Sequence, residues 1–155
     1  MDNPFMARAI QLSIDNVHSG LGGPFGAVVV KDGAIIAEGA NQVTSTNDPT
    51  AHAEVCAIRN ACKKLGLFDL EGCEIYTSCE PCPMCLGAIY WARANRVYFA
   101  ATRADAAAAG FDDSRIYEEL QAPFSQRRIP TIQLRSAEAQ RAFVEWKAQP
   151  ARTIY

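Results

Sequence analysis

Two stretches decide the fold: A-H-A-E at residues 51–54 and E-P-C-P-M-C at residues 80–85. Together they read H-x-E, a gap, and then P-C-x-x-C. A catalytic zinc site uses three protein ligands of nitrogen and sulfur type and leaves a fourth position open for water. His52, Cys82 and Cys85 supply one imidazole and two thiolates. The pattern therefore predicts one zinc ion per subunit, with water or hydroxide as the fourth ligand.

The carboxylate of Glu54 lies two residues after the predicted histidine ligand. One interpretation is structural, because acidic residues favour the first turn of a helix. A zinc-activated water needs a neighbouring base, however, and in sequence Glu54 is the carboxylate adjacent to a ligand. We therefore predict that Glu54 moves protons during catalysis.

The C-x-x-C pair has two other interpretations. It could be a redox pair, although the sequence offers no second dithiol. It could also belong to a structural zinc site, which would need a fourth protein ligand. Cys79 is the nearby candidate for that ligand, but its place on the strand side of Pro81 favours a loop thiol.

The totals predict one globular domain: the chain has 155 residues, of which 49% are hydrophobic and 21% charged. A formal net charge of −2 argues against a dedicated nucleic-acid binder. The apolar run at 86–92 is far shorter than the roughly 20 residues of a membrane helix. Residues 1–5 show no pattern of a secretory signal, so the six cysteines indicate a reduced, cytoplasmic setting.

Hydrophobic periodicity predicts strands that alternate with helices. The strands are expected at 25–30, 34–40, 73–77, 96–101 and 131–134. The main helices are expected at 4–19, 52–65 and 82–91, with short ones at 104–109 and 117–120 and a last one that Ser136 caps. In the second helix, Val55, Ile58, Cys62 and Leu65 are expected to face the sheet. This order predicts a three-layer α/β/α sandwich around a mixed, five-stranded sheet.

Five further residues remain ambiguous from the pattern alone. Phe25 follows Gly-Pro and is typical of a packing residue, and Asn41 ends a strand as turn residues do. The pair Asp112-Asp113 is typical of a solvated loop, and Tyr155 of a frayed terminus.

The motifs T-A-H-A-E (50–54) and S-C-E-P-C-P-M-C-L-G-A-I-Y-W-A (78–92) resemble those of the cytidine deaminase superfamily. More narrowly, G-G-P-F-G-A-V-V-V-K-D-G (22–33), A-G-F-D-D-S (109–114) and the C-terminal tyrosine resemble bacterial guanine deaminases. The similarity extends from the first helix to Tyr155. It implies a cytidine deaminase-like fold and a zinc-dependent hydrolase of purine metabolism that converts guanine to xanthine and ammonia.

The resemblance also implies roles for the ambiguous residues. Asn41 and the backbone of Ala53 would hold polar edges of the purine. Phe25 would line the ring pocket, with Phe111 beside the site. Asp113 would accept a hydrogen bond from the guanine amino group and assist proton transfer.

The family is further known for dimers that exchange their C-terminal segments. The resemblance therefore implies a homodimer in which this segment closes the partner's site through Tyr155. Residues 121–130, which are polar and contain two prolines, would be the hinge.

Three other functions fit parts of the pattern. A guanosine deaminase would share most of it, with room left for ribose. A tRNA adenosine deaminase would need positive charge for contacts with phosphate groups. The acidic balance of the chain and the absence of excess positive charge on the last helix argue against this function. A zinc-stabilised interaction module without activity would have no use for Glu54.

Overall fold

The computed structural model describes residues 3–134 and 137–155. The chain divides into two compact units, Met1–Asp113 and Ser114–Tyr155. The strands of the first unit are β1 (Gly26–Lys31), β2 (Ala34–Ala40), β3 (Cys73–Cys79) and β4 (Arg96–Ala101). They form one mixed sheet in the order β2-β1-β3-β4. Strand β1 runs antiparallel to β2 and β3, while β3 and β4 are parallel.

Helices precede, connect and follow these strands. In the first unit they are α1 (Pro4–Ser19), α2 (Val43–Thr46), α3 (Ala53–Leu65), α4 (Pro83–Trp91) and α5 (Arg103–Ala108). The second unit contains α6 (Ser114–Gln121), a 3-10 turn (Phe124–Gln126) and α7 (Ala137–Ala148). The short helix α2 lies in a stretch that the sequence predicts as loop, and the predicted cap Ser136 lies outside the described residues. Among the described helices, none is long and apolar enough to cross a membrane.

Helix α1 begins and ends where the sequence predicts. The Oδ1 atom of Asn3 accepts hydrogen bonds from the backbone N–H groups of Phe5 (2.9 Å) and Met6 (3.0 Å). Pro4 occupies the first helical position, where its missing N–H is not needed. Gly20 ends the helix with a φ of 69°, in the left-handed region that favours glycine.

The sheet of the first unit is covered on both faces. Val28 and Val30 pack with Ala9 of α1 in one buried cluster. Ala27 and Val29 point to the opposite face, where they pack with residues of α3 and α4. This alternation along β1 gives the three layers that the sequence predicts.

Small side chains let α3 lie close to the sheet. The fully buried residues of its inner face are Ala53, Ala57 and Ala61. Of the larger residues predicted to face the sheet, Ile58, Cys62 and Leu65 are partly buried and pack against the same core cluster. Val55 is also partly buried. Opposite the alanines lies Gly39 of β2, where an added Cβ atom would overlap the carbonyl oxygen of Ala53 and the backbone nitrogen of Ala57.

The prediction of a fifth strand is wrong. Residues 131–134 form no strand, and the described sheet has four. The segment belongs to the C-terminal unit, where the side chains of Ile132 and Leu134 are 77% and 89% exposed. A segment with a strand-like sequence forms a strand only when the edge of another strand supplies hydrogen-bond partners for its backbone. The local sequence of residues 131–134 carries no information about such a partner.

An ion pair between α1 and β2 gives a prediction about stability. Arg8 donates from Nε and Nη2 to the two carboxylate oxygens of Glu38, each at 2.7 Å. The hydrogen bonds from Arg8 lower the pKa of Glu38. Replacing Arg8 by methionine should reduce the free energy of unfolding at neutral pH by about 0.5–1 kcal/mol, because both side chains remain partly exposed.

The pH dependence of this effect follows from its sign. Because the pKa of Glu38 is lower in the folded than in the unfolded protein, the ion pair stabilises the fold at pH values above the unfolded-state pKa. This stabilisation is lost as the pH falls through the folded-state pKa. Denaturant unfolding of Arg8→Met and wild type should therefore converge at acidic pH. The control is Arg59→Met, because the pKa of Asp48 is lowered mainly by Thr50. A difference for Arg8→Met that persists undiminished in acid would contradict the ion-pair explanation.

Candidate active site

Two helix N-termini of the first unit carry the predicted ligands. His52 is the N-cap residue of α3, and Cys82 is the N-cap residue of α4, followed by Pro83 at the first helical position. Neither side chain caps its own helix by a hydrogen bond. Cys85 follows in the first turn of α4 and is fully buried. The positive ends of both helices therefore favour negative charge on the sulfur atoms.

The three ligand atoms lie as a tetrahedral zinc site requires. The Nδ1 atom of His52 is 3.6 Å from Sγ of Cys82 and 3.5 Å from Sγ of Cys85. All three ligand atoms lie within 4.8 Å of one another. Ordinary Zn–S and Zn–N bonds at a tetrahedral angle place sulfur and nitrogen about 3.6 Å apart. The residues therefore fit a zinc ion, and they leave its fourth position to a non-protein ligand.

The two thiols of this triad are electrostatically coupled. A hydrogen bond from Cys85, supported by His52, lowers the pKa of Cys82 to about 4. The hydrogen bond with Cys82 and burial raise the pKa of Cys85. The hydrogen bond with Cys82 also raises the pKa of His52. One sulfur thus ionises readily, and a divalent cation would be needed to hold both as thiolates next to a neutral imidazole.

Glu54 is buried beside the triad. Its side chain is 6% exposed and forms a hydrogen bond with the thiol of Cys85. Burial raises the pKa of the Glu54 carboxyl group, since the charged form loses its water. A carboxyl group with a raised pKa can both accept and return a proton near neutral pH.

Asn41 lies directly after β2 and is buried. Its Oδ1 atom accepts hydrogen bonds from the backbone N–H groups of Gly23 and Val43, each at 3.2 Å. The side-chain oxygen is thus held by the backbone, which leaves the amide nitrogen as the group that can meet a ligand.

Four further residues that are predicted to contact the substrate also lie in the first unit. The rings of Phe25 and Phe111 meet edge to face, with centroids 5.0 Å apart. Asp113 is half-buried, and its pKa is raised by partial burial and by the nearby charge of Cys82. Ala53 is fully buried at the start of α3. Tyr155 belongs to the C-terminal unit, where its side chain is 68% exposed, so its role stays a prediction.

Glu80 has a structural contact. Its Oε2 atom accepts a hydrogen bond from the backbone N–H of Arg103, the first residue of α5, at 3.0 Å. The sulfur of Cys79 lies 3.5 Å from the carbonyl oxygen of Thr102. Neither residue belongs to the metal-binding cluster found among the described residues.

Two buried polar residues near the site were missed by sequence reasoning. Asn16 donates from Nδ2 to the carbonyl oxygens of Gly23 and Asn41. Ser78 accepts at Oγ from the backbone N–H of Gly26 at 3.0 Å. The available signal for Asn16 was its position on the inner face of α1, seven residues after the buried Ala9.

Comparisons with known proteins agree with this site. The family of the cytidine and deoxycytidylate deaminase zinc-binding region matches residues 1–101. A guanine deaminase from Bacillus subtilis is 60% identical over 143 residues, which are 92% of either chain. The X-ray structure of guanine deaminase from Bacillus subtilis superposes with a TM-score of 0.97 and 56% identity, over 100% of this chain and 99% of that one.

A tRNA-specific adenosine deaminase from Aquifex aeolicus is 49% identical over 78 residues, which cover 50% of this chain and 52% of the relative. This similarity covers half of the chain, while the similarity to guanine deaminase extends over both units. The chain belongs to the zinc-binding cytidine and deoxycytidylate deaminase family and, within it, groups with the guanine deaminases.

Proposed function

We propose that this protein is a zinc-dependent hydrolase that deaminates guanine to xanthine and ammonia. The observation that carries the proposal is the buried carboxyl group of Glu54 beside the His52, Cys82 and Cys85 triad. A structural zinc site has no need of such a group. The similarity to guanine deaminase over 92% of the chain supports guanine as the substrate.

His52, Cys82 and Cys85 would hold the zinc ion, which supplies a Lewis acid that activates water near neutral pH. Glu54 accepts a proton from the attacking water as its oxygen bonds to C2 of guanine, the carbon that bears the amino group. Glu54 returns this proton to ring N3, then takes the second proton from the hydroxyl group now on C2 and gives it to the departing amino group. The C2–N bond breaks, so guanine and water give xanthine and ammonia.

The remaining residues bind and orient the base. The amide nitrogen of Asn41 and the backbone N–H of Ala53 donate to acceptor atoms on the purine edge. Phe25 and Phe111 pack beside the ring, and the carboxylate of Asp113 accepts from the guanine amino group. Because the pKa of Asp113 is raised, this group could also help to carry the proton to the leaving amine.

The experiment that tests this function is ammonia release by zinc-loaded protein, offered guanine, guanosine, adenine and cytidine separately. Release from guanine alone is expected. Release from guanosine alone would retain the zinc chemistry but contradict a base-sized pocket. Silence on all four substrates, with zinc bound, would favour tRNA adenosine instead.

We also propose a homodimer that exchanges its C-terminal segments. Apolar residues of the C-terminal unit are exposed, including Phe143 (70%) and Leu134 (89%). On α1, Ile14 and Val17 are 43% and 52% exposed. A second copy that exchanges its C-terminal unit would cover such surfaces, with residues 121–130 as the hinge of one continuous deaminase domain.

A cytoplasmic location fits the same proposal. All six cysteines are free thiols, and two of them are the proposed thiolate ligands. Reducing conditions keep such ligands available for metal.

Deleting Tyr155 tests the swapped segment. We expect kcat/KM for guanine to fall at least about tenfold, because the partner's tyrosine would no longer close the site over the base. Zinc content and thermal stability should stay at wild-type values. The matched control is Ile154→Ala, which keeps the terminal ring. Unchanged kinetics after the deletion would contradict the proposed closure.

A further inference from the structure

Asn16 is a buried amide on the inner face of α1. Its side chain is 6% exposed. The Nδ2 atom donates to the carbonyl oxygen of Gly23 at 2.8 Å and to that of Asn41 at 2.9 Å. One side chain thus ties together two segments that are far apart in sequence.

These two segments carry Phe25 and Asn41, which are both proposed to contact the purine. Gly23 precedes Phe25, and Asn41 follows β2. The segments approach so closely that a Cβ atom added at Gly22 would overlap the carbonyl group of Asn41. The N–H of Gly23 in turn donates to Oδ1 of Asn41 at 3.2 Å. Asn16 therefore holds the backbone of both Gly23 and Asn41, the two residues joined by the hydrogen bond that orients the Asn41 amide.

The orientation of this amide has a chemical consequence. With Oδ1 held by two backbone N–H groups, Asn41 can present its NH2 group to a ligand but not its oxygen. Guanine offers the acceptors O6 and N7 on one edge, whereas adenine places an amino donor at the position of O6. A fixed donor that faces the O6 position therefore favours guanine over adenine, whereas a donor that faces N7 would bind both bases.

We propose that Asn16 is a positioning residue for base recognition, which acts by holding the amide of Asn41 as a hydrogen-bond donor. This inference rests on the proposed function. The competing explanation is that Asn16 merely satisfies two buried carbonyl groups and contributes to stability. The two explanations differ in whether Asn16→Ala weakens ligand binding. If Asn16 acts through Asn41, that weakening should also largely disappear when the Asn41 side chain is already absent.

A double-mutant cycle separates them. The dissociation constant of 8-azaguanine, a ring analogue of guanine, is measured for wild type, Asn16→Ala, Asn41→Ala and the double variant, alongside KM and kcat for guanine. Asn16→Ala should weaken 8-azaguanine binding and raise KM by about tenfold, with kcat within about threefold of wild type. In the Asn41→Ala background, the further substitution Asn16→Ala should raise the dissociation constant by less than about threefold.

Ser13→Ala is the matched control. Ser13 lies on the same buried face, but its hydroxyl donates to the carbonyl oxygen of Ile10 within α1. Affinity and kinetics of this variant should stay within about twofold of wild type. If Asn16→Ala does not fold, Asn16→Ser carries the test, and we expect intermediate weakening because the shorter hydroxyl reaches at most one of the two carbonyl groups.

Three results would overturn the inference. The first is an Asn16→Ala variant that has lower thermal stability but binds 8-azaguanine with wild-type affinity. The second is wild-type affinity in Asn16→Ser. The third is a double variant whose loss of affinity equals the product of the losses in the two single variants. Absence of guanine turnover by wild type would count against the proposed function instead, because the binding cycle does not depend on turnover.

Discussion

Glu54→Gln should retain one zinc ion per chain and lose at least about 10³-fold in kcat for guanine, within the range that general acid–base catalysis contributes. Glutamine keeps the size and polarity of the buried side chain but cannot accept a proton from water. The three proposed ligands, His52, Cys82 and Cys85, are unchanged. KM should change much less than kcat, since Glu54 acts on the reacting atoms.

Metal analysis and steady-state ammonia release check this prediction together. The control is Glu80→Gln, because Glu80 is a nearby carboxylate that contacts the start of α5. It should retain turnover with a small loss of stability. Loss of zinc in Glu54→Gln would instead assign Glu54 a structural role, and retained turnover would place the proton shuttle elsewhere.

Cys85→Ser should abolish activity by removing zinc. Cys85 is fully buried, and its sulfur lies 3.5 Å from Nδ1 of His52. Loss of a direct ligand should weaken zinc binding by more than the roughly 10–100-fold seen when groups behind the ligands are changed. Because bound metal stabilises the fold, the melting temperature should also fall, as it should when wild type is treated with a chelator.

Cys79→Ser is the control for this experiment. Cys79 lies three residues before Cys82, and its sulfur contacts the carbonyl oxygen of Thr102. We expect full zinc content and near wild-type turnover. If Cys79→Ser also loses its zinc, the site has four protein ligands, which would make it structural and would contradict the open position that catalysis needs.

The metal site could be predicted because each of its two parts is a short local motif. His52 and Cys82 each stand at a helix start, and the C-x-x-C spacing places the second sulfur in the first turn. Short-range rules explain the pair of sulfur atoms. The meeting of the two motifs, which are 30 positions apart, was inferred from the ligand set that zinc requires. The resemblance of these motifs predicted the cytidine deaminase superfamily, and the family match over residues 1–101 confirms it.

The errors concern contacts between distant parts of the chain. The pattern of residues 131–134 suits a strand, but pairing depends on an edge that no local pattern identifies. The role of Asn16 depends on how α1 meets Gly23 and Asn41, which are 7 and 25 positions away in sequence. In α3 the sequence pattern identified Ile58, Cys62 and Leu65, which pack against the core. It did not identify the alanines, which the close approach of β2 places at the centre of the contact.

The close approach of α3 to β2 links the scaffold to the chemistry. The first residue of α3 follows His52, and the second is Glu54, so a displacement of this helix displaces both groups at once. Gly39 sets the spacing by leaving room for the backbone of Ala53. The coordination geometry is thus determined partly by a missing side chain, and position 39 functions as a spacer for the metal centre although it contributes no ligand.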